Sequence, residues 1–160
     1  MTYSTSTRAR RLVAPVILAL TVICPASAAP AAEPSPSSTE AKSMKIRLTI
    51  NGQSTTATLD DNATARDFLS MLPLTLPLEG HASTEKIAYP PRKLSTQGAP
   101  AGFDPEVGDI AYYAPWGNLA LFYKDFGYSA GLIRLGRFDA GVEALSVRGS
   151  LNVTIEAIGQ

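Results

Sequence analysis

The side chains with chemistry to offer are few and scattered. The chain holds one histidine, His81, and one cysteine, Cys24, among 14 Lys+Arg and 14 Asp+Glu. A Cys/His zinc site or an internal disulfide needs more of these residues than one of each. His81 follows Gly80 and reads as a surface histidine, with no nucleophile elbow or triad spacing around it. Asp60-Asp61-Asn62 reads as helix-capping material, and Asp104-Pro105-Glu106 has the chemistry of a turn. Glu85 and Lys86, then Arg92 and Lys93, read as solvated strand edges, with a pocket-rim role for Glu85 and Arg92 as the alternative. There is no Gly-rich phosphate loop, and no cofactor is implied. What remains is a set of aromatic residues spread from Tyr89 to Tyr128, most of which suit core and cross-strand pairs. Trp116 ranks first as a ligand contact because it falls on a predicted loop beside Gly117 and Asn118. A groove lined by Tyr113, Trp116, Asn118 and Phe122 is the candidate site for a small ligand or an extended peptide.

Charge narrows the partners. The formal net charge is zero and no basic face is visible, which removes the electrostatic basis for binding nucleic acid. Residues 1–43 differ in kind from the rest. Arg8, Arg10 and Arg11 precede an apolar run over residues 12–24, and Ala26-Ser27-Ala28 follows, the order of a secretory signal peptide. The run is shorter than the ~20 residues that cross a bilayer as a helix, so residues 1–28 are expected to be cleaved near Ala28 and no permanent membrane span is expected. Ile23 before Cys24 and Pro25 after it argue against lipidation. The mature chain would be periplasmic or secreted and free of cysteine, needing no disulfide in an oxidising exterior. Residues 29–43, rich in Pro, Ala and Ser, read as an extended tether, which leaves residues 44–160 as a single domain.

That domain carries a period-2 pattern from its start. Met44, Ile46, Leu48 and Ile50 alternate with Lys45, Arg47 and Thr49, and Asn51-Gly52 then supplies a two-residue hairpin turn. Pairing Ile50 with Gln53 sets Ile46 opposite Ala57 and Met44 opposite Leu59, which keeps apolar residues on one face. Ala65, Phe68, Leu69 and Leu72 then fall at helical spacing before Pro73. Residues 74–79 and 85–89 read as short strands, the first demoted to an edge or bulge by Pro77. Residues 94–108 form a long Gly/Pro-rich loop of a length that is often functional. Strands follow at residues 109–114, 119–124 and 132–138, then a helical turn at 141–145 and a last strand through Leu151, Val153 and Ile155. The architecture expected is mainly β, a closed antiparallel barrel of about eight strands with one short capping helix and a second helical turn.

The same order of elements, with the phrases DNATARDFLSMLPLTL, EKIAYPPRKL, VGDIAYYAPWGNLALFY and IRLGRF, resembles the bacterial cyclophilin-like domain family over nearly all of residues 44–158. The resemblance implies a barrel of cyclophilin type. True cyclophilins isomerise Xaa-Pro bonds with an arginine and a proline pocket walled by apolar and Phe-rich strands. Leu121-Phe122-Tyr123 echoes the Phe-rich strand, while the Phe-His-Arg and Phe-Met-Gln-Gly-Gly motifs are absent. Isomerisation needs a hydrophobic slot and a donor to the prolyl nitrogen, against a barrier of ~18–20 kcal/mol. Arg92, beside Pro90-Pro91, and Arg134, on a predicted strand, are the candidate donors on physical grounds. Three readings follow: a ligand-binding barrel with a side groove, an extracytoplasmic prolyl isomerase with a non-standard site, and an interaction module acting through residues 94–108.

Overall fold

The computed structural model describes residues 44–159. The signal peptide and tether expected over residues 1–43 lie outside the described residues. The chain forms β1 (Met44–Ile50), β2 (Gln53–Leu59), α1 (Ala63–Leu69), β3 (Leu74–His81), β4 (Glu85–Ala88), β5 (Gly102–Phe103), β6 (Asp109–Tyr113), β7 (Asn118–Phe122), β8 (Ser129–Ala130), β9 (Leu132–Phe138), a 3-10 helix (Val142–Ser146) and β10 (Leu151–Ile158). Eight of the strands close into an antiparallel barrel in the order β1-β10-β3-β4-β7-β6-β9-β2, and β5 pairs with β8 outside it. No helix among the described residues is long and apolar enough to cross a membrane.

The first hairpin shows how local chemistry sets the register. Asn51 and Gly52 both take positive φ, 48° and 81°, as a type I′ turn demands, and Gly52 does so without a Cβ penalty. Ile50 therefore pairs with Gln53, Ile46 with Ala57 and Met44 with Leu59. Ile46, Leu48 and Ile50 all point into the barrel and are fully buried. The helix that follows is capped by Asn62, whose Oδ1 accepts from the Ala65 backbone N–H at 2.8 Å. It ends at Leu69, short of Leu72, and buries Ala65 and Phe68 against the barrel; a fully buried Phe contributes about 1.5–3 kcal/mol. The second helical turn is the 3-10 helix, which sinks Leu145 into the core.

Three expectations need correction. β3 is an internal strand of a closed barrel rather than an edge. Pro77 is tolerated because the ladder to β10 spans residues 74–78, while pairing with β4 begins only at Glu79, so on that side the proline lies outside the paired stretch. Lys86 is no solvated edge either. It alternates inward with Ala88, sits opposite Leu121, is 2% exposed, and donates from Nζ to the carbonyls of Val147 (2.8 Å) and Gly149 (2.7 Å). The long 94–108 segment is likewise tied down. Leu94 is buried, its N–H donates to the Tyr112 hydroxyl at 3.1 Å, and Gly102–Phe103 forms a strand against Ser129–Ala130.

The sheet formed by β4, β7, β6 and β9 is apolar on both faces. Its inner face carries Leu119, Leu121, Ile110 and Leu135 into the main core. Its outer face carries a second cluster of Ile87, Ala111, Ala120, Phe122 and Leu132, with Phe103 and Tyr113 packed against it. All five residues of β7 are consequently buried. Where β9 crosses β2 the backbones approach closely: a Cβ on Gly136 would sit 2.3 Å from the Thr58 carbonyl oxygen. Only glycine fits there.

Candidate functional site

The outer face of β7 opens into a cleft of about 180 Å³. Period-2 alternation sends Asn118, Ala120 and Phe122 to that face, and the Ala114–Gly117 turn delivers Trp116 to the rim. Trp116 is 54% exposed and meets Tyr113 edge-on at a ring-centroid distance of 5.4 Å. On its other side it meets His81, at 5.5 Å and 89°. Phe122 and Phe126 stack at 6.3 Å and form a further wall. The structure thus brings Tyr113, Trp116, Asn118 and Phe122 around one cavity.

Two polar groups set the cleft's chemistry. Glu85 is directly across the β3–β4 ladder from His81 and across the β4–β7 ladder from Phe122. Its side chain is only 14% exposed, and burial pushes its carboxyl up to about 7. The His81 Nε2 lies 4.0 Å from its Oε1. The turn linking the two strands holds Ala82 and Ser83 at φ 48° and 57°, left-handed conformations unusual for residues with a Cβ. Asn118 is 1% exposed; its Nδ2 donates to the Leu119 carbonyl at 3.0 Å, while its buried Oδ1 has no hydrogen-bond partner. Among the described residues no lysine or arginine lines the cleft.

Glu85 therefore departs from the solvated strand edge expected of it, and with His81 it completes a rim that the aromatic pattern alone did not reveal. The signal lay in Glu85-Lys86-Ile87-Ala88. On a strand, Glu85 must share a face with Ile87 and Lys86 with Ala88, so one charge of the pair faces inward and the other joins the outer apolar cluster.

The two candidate arginines lie elsewhere. Arg92 makes a two-pronged pair with Asp67, at 2.9 and 2.6 Å, and Asp67 also accepts from the Ser95 N–H at 2.7 Å. Those bonds, the arginine's foremost, lower the Asp67 carboxyl to about 2. Arg134 places Nε 3.4 Å from Asp109 and 3.5 Å from Asp60, beside a second cleft of about 220 Å³ that also takes in Asn62 and residues 97–100 of the long loop. Neither arginine belongs to the aromatic cleft.

A family model described as the cyclophilin-like family matches residues 48–156, a span that includes the whole cleft. A hypothetical protein from Archaeoglobus fulgidus, known from its solution structure, is similar in fold. It is 20% identical, with a TM-score of 0.52, over 72% of this chain and 95% of that one. Among curated proteins no match is found.

Proposed function

Because the chain belongs to the cyclophilin-like family, we propose that it is a barrel-borne binding protein that holds a small ligand in the cleft on the outer face of β7. The observation that carries this reading is the Asn118 Oδ1, a buried acceptor left without a donor among aromatic walls. An orphaned buried acceptor costs about 1–3 kcal/mol, and a ligand N–H or O–H recovers that cost on binding. The volume of about 180 Å³ suits a compact molecule. Isomerisation draws less support from this cleft, since it asks for a donor to the prolyl nitrogen and both candidate arginines lie outside it, Arg92 hydrogen-bonded to Asp67 and Arg134 within 3.4 Å of Asp109. The secretory order of residues 1–28 supports placing this binding outside the cytoplasm.

Trp116 is the only tryptophan in the chain, so its fluorescence reports on the cleft directly. Screening small hydrogen-bond donors against that signal should give a saturable change, and the change should vanish in Asn118→Leu with near-ultraviolet circular dichroism preserved. Accelerated cis/trans exchange of Xaa-Pro peptides in NMR, with no response to small donors, would replace this reading by the isomerase one.

A further inference from the structure

Beside the hydroxyls of Ser129 and Tyr113 and the indole N–H of Trp116, the strongest polar groups of the cleft are acceptors. Glu85 offers a carboxylate, Asn118 offers a free amide oxygen, and Trp116, Tyr113 and Phe122 offer electron-rich rings. Against these acceptors stands His81, at 4.0 Å from Glu85, the one basic side chain among the described residues of the lining. A buried carboxylate without a firm counter-charge is costly, and so is a buried acceptor without a donor. One kind of group meets both needs. A protonated amine brings positive charge for the carboxylate, N–H bonds for the amide oxygen, and a favourable contact with aromatic faces. An anion would be repelled by Glu85, and a neutral donor would leave the carboxylate uncompensated. Size sets the other limit, because about 180 Å³ corresponds to roughly six waters at ~30 Å³ each, or a ligand of about ten heavy atoms.

We propose that the cleft is a site for a small primary ammonium compound, its charged head shared by Glu85 and Asn118 and its apolar body held against Trp116, Tyr113 and Phe122. The proposal rests on the reading of this cleft as a ligand site and names the class of ligand. The rise of the Glu85 carboxyl to about 7, caused by burial alone, agrees with a charge that lacks its partner. The titratable groups facing Glu85 across the cleft are His81 on β3 and Tyr113 on β6.

The test uses three probes of one shape, benzylammonium, benzyl alcohol and benzoate, titrated into the full chain by calorimetry and Trp116 fluorescence. Benzylammonium should bind about tenfold more tightly than the alcohol, the equivalent of one charge-assisted hydrogen bond, and benzoate should not bind. Its affinity should rise between about pH 6 and 8 as Glu85 ionises, and Glu85→Gln should abolish both the preference and the pH dependence. Equal binding of ammonium and alcohol, or an unchanged preference in Glu85→Gln, overturns the cationic ligand and leaves the cleft as a binding site. No response to any of the three at millimolar concentration overturns the proposal and the binding reading together.

Discussion

Asp139, just beyond β9, clasps the first hairpin from outside, and neutralising it should loosen the barrel in a pH-dependent way. Its Oδ1 accepts from Thr58 Oγ1 at 2.7 Å; its Oδ2 accepts from Thr56 Oγ1 at 2.7 Å and from Lys45 Nζ at 2.9 Å. The bond from Thr58, then those from Lys45 and Thr56, hold the carboxyl at about 2, below its ordinary 3.8. At ~1.36 kcal/mol per pH unit that difference is worth roughly 2.4 kcal/mol at most. The Asp139 and Lys45 side chains are 32% and 43% exposed, so solvent screening reduces the figure to about 1–1.5 kcal/mol. The folded state binds its proton less readily than the unfolded state. The stabilisation is therefore complete above about pH 5 and is lost as pH falls through about 4 towards 2. Urea unfolding at about pH 7 should place Asp139→Asn about 1–1.5 kcal/mol below the parent, and the gap should shrink to a few tenths near pH 2. Asp67, also held at about 2, titrates in both proteins and cancels in the difference. A gap that stays constant with pH, or one already negligible at neutral pH, would refute the reasoning.

Two further perturbations test the frame that carries the cleft. Gly136→Ala drives a Cβ into the Thr58 carbonyl and the Leu59 Cα, so the β2–β9 ladder must part; a loss of roughly 3 kcal/mol or more is expected in urea unfolding, and a loss under about 1 would show that the crossing accommodates a methyl group. Lys86→Ala removes the donor that satisfies the Val147 and Gly149 carbonyls and should cost about 2–4 kcal/mol, with faster amide exchange confined first to residues 147–150; unchanged exchange there would show that the lysine is not their anchor.

What could be read from the sequence was whatever neighbouring residues decide between themselves. Asn51-Gly52 dictates its own turn and hence the pairing of Met44 with Leu59, and Asn62 announces the helix it caps. The aromatic hairpin was legible for the same reason, but Asn118, which read as part of its turn, is the first residue of β7 and so shares a face with Phe122. Partners distant in the chain were not legible. Nothing local to Glu85 says that its strand pairs with β7 and β3 at once, or that a second apolar layer covers that side of the barrel. The unbroken apolar run Leu119-Ala120-Leu121-Phe122 was the available hint, since a strand buried on both faces needs a covering layer on each. Pro77 misled in the opposite direction, because a staggered ladder leaves short unpaired stretches even on an interior strand.

The seam of the barrel has a consequence for how the molecule comes into being. β1, the first strand, is flanked by β2 on one side and by β10, the last strand, on the other. The ring closes only through the pairing of Lys45 with Ile158 and its neighbours, contacts separated by almost the whole domain. Such distant closure is slow and demands a complete chain, because the loop entropy is spent before any contact rewards it. Without β10, both β1 and β3 would lack a neighbour on one side. Ring closure therefore depends on residues 151–158, the strand that joins β1 to β3.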